Sequence, residues 1–159
     1  MRDNGHTVFN CSEDADTQIA TAAISHAING TPCTVIADDT DIIILLIHHF
    51  KEDMADICFS SEKCAKSWSM RDVVQQIGPT MKDHILFLHA WHGCDTTSAI
   101  FEKGKTALCK KIESSVIVRQ LATILSNPTA TTDDVIDAGS KLFVIMYGGD
   151  VSGSLTKHR

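Results

Sequence analysis

Three aspartates, Asp38, Asp39 and Asp41, stand between the apolar runs "CTVIA" and "IIILLI" in the segment "VIADDTDIIILL". Negative charge at the edge of a core is costly unless it is paired or holds a metal ion. A strand-turn-helix needs one aspartate as a cap, not three. A second acidic stretch, "SEDADT", supplies Asp14 and Asp16, with Glu13 beside them. A third stretch, "HAWHGCDTTS", places Asp95 after Gly93 and Cys94. Carboxylates are hard oxygen donors, suited to Mg²⁺ or Mn²⁺. Asp39 as a helix cap, Asp14 and Asp16 as favourable charges at a helix start, and Asp95 as a second cap are the plain alternatives for each motif taken singly.

The elements that must position these acids follow from periodicity. "HTVFN" is a short strand candidate. Ser12 is placed to cap a helix through "EDADTQIATAAISHAI", with Ile19, Ala22, Ala23 and Ala27 near one face. "NGTP" ends it. "CTVIA" reads as a buried strand, "TDIIILLIHHF" as the next helix, although its β-branched run could extend the strand instead, and "ADICFSS" as another strand. A polar connection with Lys63, Lys66 and Ser67 follows. "RDVVQQIG" and "TMKDHILFLHAWHG" read as helices broken at Gly78–Pro79, and the remainder reads as mostly helical. The expected class is α/β, a small parallel sheet followed by a helical half. In an open parallel sheet, sites form beyond the carboxyl ends of the strands. Asp38, Asp39 and Asp41 lie just past "CTVIA", and Asp14 and Asp16 open a neighbouring helix, so the two D-x-D pairs are placed to converge on one crevice.

Composition sets the bounds. The 159 residues suffice for a domain with a real core, and 43% hydrophobic and 21% charged residues are ordinary for a globular chain. The longest apolar run, Ile42 to Ile47, is too short to span a bilayer, so no membrane association is expected. The six cysteines show no CxxC pair and read as reduced intracellular thiols. A net charge of −6 excludes a uniformly basic nucleic-acid binder. The charge is unevenly placed. Met1 to Glu62 holds eleven acids and two bases, net −9, whereas Glu102 to Arg119 holds five bases and two acids, net +3. That asymmetry is either two differently solvated faces or an acidic metal site beside a basic surface for phosphates.

The order of the motifs, "EDADTQIATAA", then "ADDTD", then "LHAWHGCDTTS" with a Gly-Lys segment, resembles flap endonuclease-like nucleases, a structure-specific branch of the PIN-like fold. It is similar, closer still, to uncharacterised animal proteins of mobile-element character that carry EADT, SDDTD and GCDTTS. The resemblance covers roughly residues 13–111. It implies a PIN-like parallel sheet flanked by helices, with residues 1–101 as the C-terminal part of the nuclease core. Residues 102–159 would form a helical, nucleic-acid-binding extension of the same domain. It implies Asp14, Asp16, Asp39, Asp41 and Asp95 as catalytic metal ligands, with Glu13 and Asp38 as further candidates. Lys103, Gly104, Lys105, Lys110 and Lys111 would hold a nucleic-acid backbone, expected to be DNA.

Two Mg²⁺ or Mn²⁺ ions about 4 Å apart would then activate water and stabilise the leaving oxygen of a phosphodiester. The location implied is nuclear. The chain departs from the family in having aspartates for the first glutamate pair and one glycine, Gly104, in the hairpin. The family also has an upstream half with two further acidic ligands, so the sequence reads as a fragment in which activity is expected to be lost or nearly lost. The alternative expectation is an inactive nuclease-like module that binds nucleic acid or a protein partner.

Other chemistries find less support. His89, His92 and Cys94, with His84 or Cys33, could serve zinc, but H-x-x-H-x-C has no second matching pair. "DTDII" resembles the D-x-D of haloacid-dehalogenase-type phosphatases, but Ile43 stands where that motif wants Thr or Val. No G-x-S-x-G, P-loop or GxGxxG occurs.

Overall fold

Asp14 starts the first helix. Its side chain accepts the Thr17 amide, and the chain then winds through α1 (Ala15–Ile28). The computed structural model describes residues 8–11, 14–63, 66–93 and 105–149. The expected cap Ser12 lies outside them. Val8, Phe9 and Asn10 form no strand, and the rest of "HTVFN" is also outside. The buried stripe of α1 is Ala20, Ala23 and Ala27, whereas Ile19 and Ala22 of the expected face are exposed. Small side chains at this spacing let the α1 backbone approach its neighbours closely.

Gly30 adopts φ 77° after α1, a conformation that favours glycine. The chain then enters β1 (Cys33–Ile36), α2 (Thr40–His49), β2 (Ile57–Ser61) and β3 (Lys66–Ser69). β1 and β2 are parallel, with Cys33 opposite Ile57 and Val35 opposite Phe59. β2 and β3 are antiparallel, with Phe59 opposite Trp68. The sheet is therefore mixed, in the order β1-β2-β3, and not the parallel sheet expected. The physical reason is length. Few residues separate β2 from β3, enough for a hairpin, whereas a parallel crossover needs a dozen or more. The segment read as a polar connection is this hairpin strand. Its sequence, "KSWS", offers only Trp68 as a large apolar side chain, so it carries little strand signal.

One face of the sheet bears Val35, Ile57 and Phe59, all buried, with Trp68 packed 6.2 Å from Phe59. α1 packs on β1 and β2 and against α2. The other face carries Thr34, Ile36, Cys58, Ser60 and Ser67, none of them buried. Arg71 ties the segment after α2. Its guanidinium donates to the carbonyls of Glu52 and Met54 and lies 5.6 Å from the Phe50 ring centre.

α3 (Met70–Asp83) breaks at Gly78 (φ 77°, ψ 167°), where the sequence places the break. α4 (Ile85–Trp91), α5 (Lys105–Ser114), α6 (Val116–Leu125) and α7 (Thr132–Met146) follow. The chain divides into two compact units, Met1–Gln76 and Ile77–Arg159. The second is all helical among its described residues. Its core joins Leu88, Leu108, Ile112, Val118, Leu121, Leu142 and Met146. A capping box between Thr131 and Asp134 starts α7. No helix among the described residues is long and apolar enough to cross a membrane.

Candidate metal centre

The apolar runs of β1 and α2 are joined by "ADDT", which leaves the carboxyl end of a strand and enters a helix. Asp39 is the N-cap of α2, and its Oδ1 accepts the Asp41 amide at 2.9 Å. Asp41 sits in the first turn of α2, and Asp16 in the first turn of α1. Because α1 and α2 pack together with these turns at one end, Asp16, Asp39 and Asp41 meet. Each offers one carboxylate oxygen, and the three oxygens lie within 4.8 Å of one another. Asp16 and Asp41 are half-buried and Asp39 is exposed. Two helix N-termini, each carrying partial positive charge, partly offset the repulsion among them.

This donor set fits a hard divalent cation. Oxygens sharing one Mg²⁺-sized ion stand about 3–4 Å apart, so small side-chain rotations would bring these three onto one ion. Three carboxylates suffice for one ion. The two-ion site expected from the sequence also calls on Asp14 and Asp95. Asp14 is not in the cluster. Its Oδ2 accepts both the amide and the hydroxyl of Thr17. That hydroxyl, and then the amide, hold the Asp14 carboxyl below its usual value. Asp95, Cys94, Glu13, Lys103 and Gly104 lie outside the described residues.

Asp38, a further ligand candidate from the sequence, is engaged elsewhere. Its Oδ1 accepts the Ser61 hydroxyl at 2.6 Å and the Lys63 amide at 3.3 Å, and Lys63 Nζ stands 3.9 Å from Oδ2. Asp38 thus pins the β2–β3 turn to the end of β1. Sequence reasoning missed this partnership, because its signal was the unrecognised hairpin around Glu62 and Lys63. The Ser61 hydroxyl chiefly holds the Asp38 carboxyl below its ordinary 3.8. A depressed carboxyl contributes stability that is present above the unfolded value and lost as pH falls through the folded one. Asp38→Asn is therefore expected to destabilise the protein near pH 7, and the difference from wild type should fade below about pH 3.8. Urea unfolding across that range checks it. A difference that persists unchanged in acid would assign the effect to packing instead of charge.

Of the basic residues, Lys105 opens α5, Lys110 is exposed on it and Lys111 is half-buried. Among the described residues the histidines and cysteines form no metal-holding group comparable to the acidic one. Burial pushes the Cys33 and Cys109 thiols up, which works against thiolate chemistry at either. An apolar groove of about 560 Å³ along α1, lined by residues including Phe9, Cys11, Ile19 and Ala22, contains none of the clustered carboxylates.

Set beside known protein families, characterised proteins and solved structures, the chain matches none of them.

Proposed function

We propose that the chain is a module of a metal-dependent nuclease of PIN-like type, binding Mg²⁺ or Mn²⁺ through Asp16, Asp39 and Asp41. The observation that carries this reading is the convergence of those three side chains, from two separate helices, within 4.8 Å. A bound ion would supply a Lewis acid and a water of lowered pKa for phosphodiester hydrolysis. The roles of the three aspartates follow from their places. Asp16 and Asp41 are held on the first turns of α1 and α2, which fixes their separation. Asp39 reaches the cluster while its Oδ1 keeps the Asp41 amide, so one side chain both caps the helix and orients its neighbour. Lys110, exposed on α5, and Lys103 and Lys105 supply positive charge for a nucleic-acid backbone, read without sequence preference.

The test is metal binding by the chain itself. Titration with Mn²⁺, followed by calorimetry and by melting temperature, should show saturable binding in the wild type. At a concentration one hundred times the dissociation constant, the stabilisation by linkage is about 2.7 kcal/mol. Asp16→Asn and Asp41→Asn should each remove most of that shift. A folded wild type with no saturable Mn²⁺ binding would reduce the three aspartates to helix-start charges and end the metal reading.

A further inference from the structure

We infer that Lys63 and Lys66, on the β2–β3 hairpin, hold the phosphate of the substrate beside the metal ion, as positioning cations for the site of Asp16, Asp39 and Asp41. The inference rests on the metal reading of those aspartates and names the groups that complete it. Three carboxylates and one divalent ion leave the cluster with one negative charge in excess. A phosphodiester is itself negative, so the loaded site would not draw it in unaided. Asp14, Asp38 and Glu62 stand at the same end of the sheet and deepen that excess. Positive side chains are needed there.

The topology supplies two. β1 and β2 are parallel, so their carboxyl ends lie together, and the helix starts that carry the cluster sit at that end. β2 turns into β3 at the same end, and Lys63 lies in the connection. It reaches Asp38, the neighbour of Asp39 in the chain. Its amide donates to Oδ1 at 3.3 Å, and its Nζ stands 3.9 Å from Oδ2. The place of Lys66 follows from the register. Lys66 is opposite Ser61, two positions along from the Phe59–Trp68 pair. Its side chain therefore leaves the sheet on the face of Phe59, the buried face on which α1 packs. Lys66 is exposed, and among the described residues it forms no ion pair.

The other bases of this unit lie elsewhere. Among the described residues of Met1–Gln76, His26, His48 and His49 sit in the last turns of α1 and α2, at the opposite end. Lys51 follows α2. Arg71, beyond β3, is engaged by the carbonyls of Glu52 and Met54. Lys63 and Lys66 are thus the positive charges at the acidic end. The Lys63 side chain is 79% exposed and its pair with Asp38 is long, so the ammonium keeps donors for an anion. A lysine ammonium meets phosphate oxygens as a compact point charge, which suits a ligand held chiefly by the metal.

The probe is thymidylyl-thymidine, which carries a single phosphodiester, added to the full chain with protein in excess over Mn²⁺. Its phosphorus NMR line should broaden through the bound paramagnetic ion, and a titration gives its affinity. Lys63→Ala and Lys66→Ala should each weaken the dinucleotide by ~10-fold. Affinity for Mn²⁺, read by calorimetry, should hold or rise by about threefold, because a like charge has left the surroundings of the ion. Lys66→Arg should restore dinucleotide binding, and Lys51→Ala should leave it unchanged. Should alanine disturb β3, seen as a lowered melting temperature, Lys66→Gln is the second variant. A merely structural role would lower both affinities together, and that result would overturn the inference. Intact Mn²⁺ binding with a dinucleotide affinity indifferent to both lysines would overturn it too, leaving the metal reading in place. A wild type with no saturable Mn²⁺ binding would end both.

Discussion

With an upstream acidic segment supplied, Asp41→Asn is expected to lower Mn²⁺-dependent cleavage of single-stranded or flap-bearing DNA by ~10³-fold or more, with nucleic-acid binding nearly unchanged. The magnitude follows from what a bound ion contributes, several kcal/mol of transition-state charge stabilisation, with each 1.36 kcal/mol worth about tenfold in rate. Asparagine keeps the size of the side chain but removes a charged donor from a set of three. The backbone amide that Asp39 accepts from residue 41 is retained, so the helix start survives.

Asp39 separates ligation from capping. Asp39→Asn keeps a good N-cap and loses only the charge, whereas Asp39→Ala loses both and should cost a further ~1 kcal/mol of stability. Both should lose cleavage if the side chain holds metal. Lys110→Ala offers the opposite signature, weaker binding with a salt slope reduced by about one. A wild type supplied with that upstream segment that binds DNA or RNA yet never cuts, with either ion and any substrate shape, would leave the non-catalytic binding module as the surviving reading.

Leu142→Ala is expected to cost 2–5 kcal/mol, read as a drop in the urea midpoint. Leu142 is fully buried on α7, in the cluster that contains Leu108, Ile112, Val118 and Leu121 from α5 and α6. Truncation removes apolar burial and leaves a cavity between helices that can relax only in part. Val135→Ala on the same helix is the control. Val135 is 40% exposed, and its loss should stay within about 0.5 kcal/mol. A cost at Leu142 no larger than at Val135 would mean that the α6–α7 packing is not the source of stability in the Ile77–Arg159 unit.

Much of the architecture was legible because its signals are local. The run "IIILLI" after a capping aspartate gives α2, the Gly78–Pro79 pair gives the break in α3, and the spacing of apolar residues gives α6 and α7. The hairpin strand β3 was not legible. An edge strand with three polar residues and Trp68 has no periodic apolar pattern, and only its pairing with Phe59 makes it a strand. The expected face of α1 held at Ala23 and Ala27 but takes Ala20 in place of Ile19 and Ala22, for a related reason. A helix of alanines and scattered isoleucines has nearly equivalent faces, and contact with β1 and α2 chooses among them.

The sequence by itself determined which residues carry the charge. It placed Asp39 and Asp41 beyond a strand and Asp16 at a helix start, since caps and apolar periods act over a few residues. Tertiary structure alone decided which acids meet. Asp14, Asp16, Asp38, Asp39 and Asp41 are alike in type and close in the chain. Yet Asp14 is spent on Thr17 and Asp38 on Ser61 and Lys63, while Asp16 joins Asp39 and Asp41 across two packed helices. A carboxylate's partners depend on positions brought together by the burial of other residues. That burial is a property of the whole core, and no short stretch of sequence contains it.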